Sequence, residues 1–423
     1  MTLPASPKFA TSSFHVMAKP IGPICNLDCR YCYYLHKEEL YPTGNKWKIG
    51  DDCLESYIQQ YIEAQPKNSA EVTFAWQGGE PTLMGIEFFQ RCIDLQKKHV
   101  RSEQTIANSI QTNGVLLDND WCLFLRRNRF LVGLSIDGPA ELHDAYRVDR
   151  QGKGSHSSVI SALRKLKKFN VEFNALVTVH RANCKHGRRI YEYLRDSGCG
   201  FMQFIPIVER KGIGRHSEGQ ADDTYTAFDS AVDAVSSRSV LPEQFGRFLC
   251  EVFDSWIQQD VGRVYVQIFD QALSAWLGIE PSLCVFKKQC GRAVAMEHNG
   301  DVYSCDHFVD ADHLLGNLSV VPLTELINSK QQETFGQNKE TTLPSYCKKC
   351  DVRFACNGEC PKNRFLQTPD GDDGLNYLCA GYQAFFTHID QPMKKMAALI
   401  QRNQSPAQIM DGSTTSPPKL EQD

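Results

Sequence analysis

The spacing of the cysteines constrains this chain more than any other feature of its sequence. Three of its 17 cysteines, Cys25, Cys29 and Cys32, form a C-x3-C-x2-C triplet near the N-terminus. Three thiolates on one loop can hold three irons of a [4Fe–4S] cube and leave the fourth iron open to a substrate or cofactor. Structural zinc requires four ligands, which would close the site. The triplet therefore predicts a reactive iron–sulfur cluster rather than a structural metal.

A second series of cysteines occupies the last third of the chain: Cys284, Cys290, Cys305, Cys347, Cys350, Cys356, Cys360 and Cys379. Eight thiolates complete two four-cysteine sites with no iron left open, which suits electron transfer rather than substrate binding. Two structural zinc ions would satisfy the same ligands and are the alternative at this point.

Bulk composition narrows the class of protein. The chain has 423 residues, enough for two domains with substantial cores. A net charge of −4 with no basic stripe argues against nucleic-acid binding, and no apolar run approaches the ~20 residues of a membrane span. The N-terminus shows no apolar secretory segment, so we expect a cytoplasmic location, where cysteines stay reduced and can bind metal.

Short β-rich runs alternate with amphipathic segments over the first half of the chain. Strands are predicted at 14–18, 71–76, 109–112, 130–136, 172–179 and 201–207. Helices are predicted at 53–65, 86–99, 118–128, 157–169, 186–196 and 243–260. Strands and helices that alternate through short connections favour parallel βαβ units. Six such units predict an α/β fold, a partial (β/α)6 TIM-like barrel, with its chemistry at the C-terminal ends of the strands.

The predicted domain boundaries follow from these patterns. Residues 1–12 are expected to be a flexible N-terminus, 13–240 the partial barrel and 241–280 a helical connection. From about 280 cysteines and charged residues replace the periodic pattern, so we expect 281–395 to be a cysteine-rich domain organised around metal. The remaining segment, 396–423, becomes polar and Pro-rich and is predicted to be a largely disordered tail.

Glycine-rich and polar runs follow the predicted strands, where barrel chemistry is expected. The run Gln77-Gly78-Gly79-Glu80-Pro81 closes the second strand, and its glycines let the backbone approach a ligand closely. Ser135 ends the fourth strand, and Arg147 follows it with a planar guanidinium suited to a carboxylate. A plain Gly-Gly turn, and a surface ion pair of Arg147 with Asp144 or Asp149, are the alternatives.

The triplet, with a tyrosine just before its third cysteine, and the Gly-Gly-Glu-Pro run together resemble the radical S-adenosylmethionine (SAM) superfamily. The resemblance implies that the open iron chelates SAM and that one electron cleaves it to a 5′-deoxyadenosyl radical. It implies a SAM-binding set of Tyr31, Gly78, Gly79, Glu80, Ser135 and Arg147, and a substrate-facing pair, Tyr34 and Gln77. In that set the Gly-Gly-Glu run would grip the amino group, the arginine would lie near the carboxylate, and the tyrosine would pack on adenine unless it is ordinary core.

The C-terminal cysteine series resembles the SPASM extension of radical SAM peptide-modifying enzymes. The resemblance implies two auxiliary [4Fe–4S] clusters beside the SAM-binding one, with interleaved ligands. The inner cluster would be held by Cys284, Cys290, Cys305 and Cys360, and the outer one by Cys347, Cys350, Cys356 and Cys379.

Longer stretches resemble the anaerobic sulfatase-maturating enzymes: Trp76 to Gly85, Gln111 to Gly114, Phe130 to Gly138, and Cys305-Asp306. The resemblance covers roughly residues 12–395 and implies oxidation of an active-site Cys or Ser of a sulfatase polypeptide to Cα-formylglycine. The 5′-deoxyadenosyl radical would take a hydrogen from Cβ, Asp306 would remove the thiol or hydroxyl proton, and the electron would leave through the auxiliary clusters.

A carboxylate tethered beside a cluster ligand, such as Asp306, suits a general base. Alternatives stay open: Asp306 as a solvated surface carboxylate, or His307, Tyr34 or a water as the base. The sequence does not decide between Cys and Ser as the residue that is oxidised.

The reaction implied by the resemblance defines the partners. A sulfatase polypeptide would be the substrate and a flavodoxin or ferredoxin the electron donor, with no nucleic-acid or membrane partner, and we expect a monomer. Another SPASM peptide maturase, such as one forming thioether links in a ribosomal peptide, is the alternative enzyme. A non-catalytic electron carrier or zinc scaffold is the alternative from another class, and the open triplet argues against it.

Overall fold

The computed structural model describes residues 9–41, 46–211 and 234–412. Contacts between Cα atoms divide the chain into two compact units, each drawn from separate stretches of sequence. The first unit takes its described residues from Met1–Leu176, Glu209–Thr226 and Lys288–Thr342, and the second from Val177–Val208, Ala227–Lys287 and Leu343–Asp423. This division does not follow the boundaries expected at 240 and 281, because 288–342 joins the unit that holds the first strands.

The bounds of the regular elements are as follows. The strands are β1 His15–Lys19, β2 Glu71–Trp76, β3 Thr105–Thr112, β4 Phe130–Ser135, β5 Phe173–Val179, β6 Phe201–Pro206, β7 Tyr265–Val266, β8 Ala293–Glu297, β9 Asp301–Tyr303, β10 Leu314–Asn317, β11 Arg364–Gln367 and β12 Asp373–Asn376. The α-helices are α1 Asp51–Ala64, α2 Ile86–His99, α3 Asn119–Arg127, α4 Ala140–His143, α5 His156–Lys168, α6 Gly187–Asp196, α7 Pro242–Gln259, α8 Gln267–Trp276, α9 Leu323–Ile327, α10 Lys330–Thr341, α11 Ser345–Lys348, α12 Arg353–Cys356, α13 Cys379–His388 and α14 Asp390–Gln401. Short 3-10 helices occur at Leu35–Leu40, Pro81–Met84, Cys284–Phe286, Ala311–His313, Pro361–Asn363 and Pro406–Gly412.

The first unit is built on a sheet whose central strands are parallel. Within it β1 pairs with β2, β2 with β3, β3 with β4, and β4 with the first residues of β5, all in parallel. The other edge of β1 pairs in parallel with β8, and β9 and β10 continue the sheet in antiparallel order. Parallel strands joined by helices confirm the predicted α/β class. The register places Lys19 opposite Glu297 at the C-terminal ends of β1 and β8.

Aromatic side chains fill the layer between α1 and the sheet of the first unit. Tyr57 and Tyr61 lie one helical turn apart on α1 and stack at 5.8 Å between ring centroids. They meet Phe74 and Trp76, alternate residues that project from the same face of β2. All four side chains are fully buried. The alternation of aromatic residues in β2 and their one-turn spacing in α1 therefore determine how this layer packs. The packing also holds the C-terminal end of β2 in position.

The second unit is organised by α7. Its contact with α13 is close, because a Cβ on Gly246 would lie 2.6 Å from the carbonyl oxygen of Gly381. Phe253 on α7 meets Phe269 on α8 edge to face at 5.1 Å. In the same unit β6 pairs with β7 in parallel and β11 pairs with β12 in antiparallel.

The C-terminal segment differs from the expectation of a largely disordered tail from 396. Helix α14 continues to Gln401, since Met396 and Ala397 on it are buried, and a 3-10 helix follows at Pro406–Gly412. Residues 413–423 lie outside the described part of the chain, as do residues 1–8 of the expected flexible N-terminus. Across the described residues, none of the helices combines the length and the apolar character needed to cross a membrane.

Candidate active site

The cysteine triplet lies on the loop after β1, and glycine lets the Gly-Gly-Glu-Pro run pack against that loop. The amide of Gly79 donates to the Gly22 carbonyl at 2.8 Å, and the amide of Glu80 donates to the Ile24 carbonyl at 2.9 Å. A Cβ on Gly79 would lie 2.0 Å from the Ile24 oxygen, so no side chain fits there. Glycine was expected to allow a close approach to a ligand; here the close approach is to the chain segment that ends at Cys25.

Glu80 is buried and its carboxylate joins the ends of β2 and β3. Its Oε1 accepts from the Thr82 amide at 3.0 Å and the Thr112 hydroxyl at 2.7 Å, and its Oε2 accepts from the Asn113 amide at 2.8 Å. Burial raises the pKa of Glu80, and these hydrogen bonds act in the opposite direction. The expected contact of Glu80 with the SAM amine stays a prediction, because these protein donors already engage both oxygens.

The three thiols of the triplet are free and half-buried. Burial raises the pKa of Cys25 and of Cys29 to about 12, and repulsion from the other thiols of the triplet adds to the shift. The positive charge of Arg147 lowers the pKa of Cys29. Thiolates are the ligands of iron, and a bound cation reverses the cost of their burial. Three neighbouring thiols near an arginine therefore fit an anionic iron–sulfur group held by three ligands.

Arg147 forms a buried ion pair with a carboxylate that the sequence argument did not consider. Its Nε and Nη2 donate to the two oxygens of Asp137 at 2.9 and 3.2 Å, and Asp137 is fully buried. The alternative of a surface pair with Asp144 or Asp149 is therefore wrong. The Tyr31 hydroxyl also donates to Asp137, at 2.6 Å. This pair holds the guanidinium and the Tyr31 ring in place next to the triplet.

Ser135 and Gln77 lie at the C-terminal ends of their strands, as predicted. Ser135 is the last residue of β4 and is buried. Gln77 follows β2, is half-buried, and its amide donates to the Ala18 carbonyl at 2.9 Å. The C-terminal ends of β1, β2 and β4 thus lie on one edge of a parallel sheet together with the triplet loop. Their contacts with SAM and substrate stay predictions.

Asp306 is held by two partners and is not a surface carboxylate, since its side chain is 16% exposed. The Lys19 ammonium forms an ion pair with its Oδ1, and the Tyr33 hydroxyl donates to its Oδ2 at 2.7 Å. Burial alone would raise the pKa of Asp306, but Lys19, the neighbouring His307 and the two hydrogen bonds outweigh it and lower the pKa to about 2. Asp306 is therefore ionised at neutral pH and can accept a proton.

Asp306 and the triplet lie in the same unit, and Tyr33 connects them. Burial and the Asp306 carboxylate raise the pKa of the Tyr33 hydroxyl well above its usual value, and Cys32 and Cys305 add to this shift. Lys19 in turn lowers the pKa of Cys32, which burial raises. The hydrogen bond from Tyr33, which follows Cys32, to Asp306, which follows Cys305, brings the triplet loop and the Cys305 turn together.

Tyr34 is almost fully buried, with its hydroxyl directed to Glu297 and its ring 3.8 Å from the Lys19 ammonium. Its predicted contact with substrate stays a prediction. The sequence argument missed Lys19, Tyr33 and Glu297. The sequence could have pointed to Lys19, because this lysine is the last residue of the apolar strand before the triplet. A lysine is rarely buried without a partner.

The C-terminal cysteines divide between the two units. Cys290 and Cys305 belong to the first unit, and Cys284, Cys347, Cys350, Cys356, Cys360 and Cys379 to the second. In the second unit the thiols of the predicted outer set lie near enough to interact electrostatically, and their role as a ligand set stays a prediction. Burial raises the pKa of Cys356 and of Cys379 to about 12. Repulsion from Cys379 and Cys347 adds to the shift of Cys356, and repulsion from Cys347 and Cys350 adds to that of Cys379. In the described chain no three His, Cys, Asp or Glu are placed to hold a single metal ion.

Comparison with known proteins identifies the family. Residues 20–194 match the radical SAM superfamily model, and residues 284–351 match the SPASM iron–sulfur cluster-binding domain. A serine-type anaerobic sulfatase-maturating enzyme of Bacteroides thetaiotaomicron is 45% identical over 403 residues, which are 94% of this chain and 96% of that protein. The chain belongs to the anaerobic sulfatase-maturating enzymes.

Two further relatives support this assignment. A cysteine-type anaerobic sulfatase-maturating enzyme of Clostridium perfringens is 33% identical over 379 residues, 88% of this chain and 95% of that protein. The solved structure described as native anSMEcpe with bound AdoMet and Cp18Cys peptide has a TM-score of 0.79 and 31% identity, and covers 91% of this chain and 99% of that chain.

As a sulfatase-maturating enzyme of this family, the chain is a radical SAM oxidoreductase with a radical SAM domain followed by a SPASM domain. Its cofactors are SAM and iron–sulfur clusters, as the sequence predicted. The alternatives of a zinc scaffold and of a non-catalytic electron carrier are thereby excluded. The residue-level assignments to SAM and to each cluster stay predictions.

Proposed function

We propose that this enzyme oxidises a serine of a sulfatase polypeptide to Cα-formylglycine, with Asp306 as the acceptor of the hydroxyl proton. The observation that carries this assignment is the Asp306 carboxylate itself. It is ionised, it adjoins a predicted cluster ligand, Cys305, and it lies in the unit that holds the SAM-binding triplet. A general base requires an accessible, ionised acceptor of this kind.

Serine is proposed over cysteine because of the relatives. The serine-type enzyme of Bacteroides thetaiotaomicron is 45% identical to this chain, whereas the cysteine-type enzyme of Clostridium perfringens is 33% identical. A serine hydroxyl also needs a base more than a thiol does, since it is much the weaker acid. Lys19 and Tyr33 lower the basicity of Asp306, and what they would contribute is a fixed orientation of its carboxylate.

The chain's own residues would bind, orient and deprotonate. When bound, SAM and the clusters supply one-electron chemistry, which removes a hydrogen atom from the substrate Cβ and accepts the electron left behind. The triplet would hold the SAM-binding cluster, and the backbone of Gly78–Glu80, Ser135, Arg147 and Tyr31 would position SAM. Gln77 and Tyr34 would lie toward the substrate. Asp306 would receive the proton on a carboxylate oxygen, and the buried setting would exclude water.

Partners and location follow from the same reaction. A flavodoxin or ferredoxin would deliver the low-potential electron, the enzyme would act as a monomer, and the reaction would take place in the cytoplasm. Cysteines that bind iron must be reduced, so the eleven cysteines assigned to clusters support a reducing compartment. The near-neutral net charge of −4 gives no reason to add a nucleic-acid partner.

The proposal is tested by product analysis under anaerobic conditions. Reconstituted enzyme, SAM and a reductant are incubated with a peptide that carries Ser-x-Pro-x-Arg, and separately with its Cys counterpart. We expect formylglycine from the Ser peptide, with about one 5′-deoxyadenosine per conversion, and slower conversion of the Cys peptide. Cleavage of SAM with neither peptide modified would instead favour another SPASM peptide maturase.

Asp306→Asn tests the proton acceptor in the same assay. An amide of the same shape accepts no proton, so formylglycine formation should fall by about 10²–10⁴-fold while SAM cleavage continues. The control is His307→Gln, because His307 is exposed and is the competing candidate for the base. Activity that survives in the Asp306 variant but is lost in the His307 variant would reassign the base.

A further inference from the structure

Lys19 is a buried lysine that no assigned role explains. It is the last residue of β1 and is 2% exposed. Burial of an ammonium is costly unless a partner compensates it, so a lysine in this position reports a specific interaction. The partner is Asp306, 287 residues further along the chain. The ammonium also lies 3.8 Å from the centroid of the Tyr34 ring, which restricts it from a second side.

The Asp306 carboxylate is held at both oxygens by two different elements. Lys19 on β1 engages Oδ1, and Tyr33, which directly follows the triplet, engages Oδ2 at 2.7 Å. The backbone of Asp306 is also restrained, because the Phe308 amide donates to the Cys305 carbonyl at 3.0 Å and forms a tight turn around Asp306. With both oxygens and the turn restrained, the carboxylate has one orientation, and only its small exposed edge can meet a substrate.

We propose that Lys19 and Tyr33 are positioning residues that hold the Asp306 carboxylate where the substrate hydroxyl delivers its proton. The inference rests on the proposed function. After loss of a Cβ hydrogen atom, the O–H bond breaks, the proton goes to Asp306, the C–O bond becomes double, and one electron leaves to an iron–sulfur acceptor. Removal of the hydrogen atom needs neither Lys19 nor Tyr33. Loss of Lys19 therefore separates SAM cleavage from aldehyde formation.

The test measures two products in one sample of holoenzyme with SAM, reductant and the Ser peptide. The quantity compared is formylglycine formed per 5′-deoxyadenosine released. Lys19→Met should lower this ratio by about tenfold or more, since a carboxylate that is out of place loses part of its general-base contribution. Lys19→Arg keeps a cation at the site and should restore most of the ratio. A purely structural role would lower both products together and leave their ratio unchanged.

Lys339→Met is the matched control, because Lys339 is also a buried lysine of the first unit, 1% exposed on α10. It should leave the ratio at the wild-type value. Tyr33→Phe removes only a hydroxyl and tests the other oxygen of Asp306 without removing a buried charge. It should lower the ratio about threefold. If Lys19→Met does not bind iron, the product ratios of Tyr33→Phe and Lys19→Arg test the inference instead.

A readout independent of turnover is the position of Asp306 in crystals of Lys19→Met with bound SAM, where we expect the carboxylate to have rotated away. Wild-type ratios in both Lys19→Met and Tyr33→Phe would overturn the inference even if both enzymes were slow. Wild-type enzyme that cleaves SAM and leaves the Ser peptide intact would overturn the proposed function, and this inference with it.

Discussion

The charged residues beside the cysteine triplet are buried in pairs. Arg147 meets Asp137 through two hydrogen bonds, and Lys19 meets Asp306. Removal of one member of a buried pair leaves an uncompensated charge in the interior, which costs more than the pair contributes. Each pair should therefore behave as a unit. Substitution of one partner should lower the free energy of unfolding strongly, whereas substitution of both partners together should lower it much less.

Asp137→Ala tests this at the Arg147 pair. The variant should lower the free energy of unfolding by about 3–5 kcal/mol, because it leaves a guanidinium buried without its carboxylate. The double variant Asp137→Ala with Arg147→Met should recover most of that loss, as urea unfolding would measure. The control is Asp196→Ala, from an ion pair with Arg195 whose Asp196 side chain is 67% exposed, where the change should stay below about 1 kcal/mol. An Asp137 variant as mild as this control would contradict the pair.

At the scale of elements, short-range patterns located most elements in the first half of the chain, although β3 begins at Thr105 rather than 109 and α4 was missed. Strand β2 occurs as predicted at 71–76, because alternating apolar residues there have one buried face. The strands β8 and β9 were not predicted. They are short, they lie in a cysteine-rich segment, and the turn at Gly300 and the polar residues around it interrupt the alternating apolar pattern. The pairing of β8 with β1 is a long-range contact, which periodicity in a local window does not report.

Gly79→Ala tests the contact of the Gly-Gly-Glu-Pro run with the triplet loop. A Cβ there would lie 2.0 Å from the Ile24 oxygen, so the loop that ends at Cys25 must move. We expect iron content to fall from about twelve to about eight atoms per chain, and SAM binding to be lost. The control is Gly50→Ala, since no heavy atom lies within 4 Å of the added Cβ. Full iron content in the Gly79 variant would show that the contact is dispensable.

Helix α8 carries a second test, at Asp270. Burial raises the pKa of Asp270 to about 6, above the ~4 of an unfolded aspartate. The folded state thus holds this proton more tightly, so stability decreases as pH rises from about 4 to 6 and stays lower above that range. Because Asp270 is only partly buried and solvent screens its charge, Asp270→Asn should be more stable than wild type by about 1–2 kcal/mol at pH 7.5, with a smaller difference at pH 5. Melting temperatures at both values measure this.

The control for Asp270 is Asp312→Asn, because Asp312 is an exposed residue of the same type. Its effect on the melting temperature should be small, as expected for a substitution on the surface. An advantage of Asp270→Asn that does not change between pH 5 and 7.5 would exclude titration of this carboxyl as the cause.

At the scale of the whole molecule, the predicted cluster ligands belong to two units. The triplet lies in the first, and the outer set of Cys347, Cys350, Cys356 and Cys379 lies in the second. Spacing in the sequence was enough to propose which cysteines are ligands, because metal sites impose regular spacings along the chain. It did not predict the partners of Asp306, because Lys19 and Asp306 share no local pattern.

Cys379→Ala tests the independence of the outer set. Loss of one of four ligands should remove one cluster, so iron should fall from about twelve to about eight atoms per chain while SAM cleavage persists. Formylglycine formation should fall, because the substrate's electron loses its exit. The matched control is Cys250→Ala, a half-buried cysteine of α7 outside both series, which should keep all of its iron. Loss of SAM cleavage in Cys379→Ala would show that the two sets are not independent.

The pairing of β8 with β1 has a consequence for biosynthesis. Lys19 is synthesised early, but its partner Asp306 follows 287 residues later, which is on the order of tens of seconds at translation rates of about 5–20 residues per second. Until then one edge of β1 has no neighbouring strand and the lysine has no counter-charge. The arrangement of charges around Asp306 can therefore close only after nearly three quarters of the polypeptide has been made.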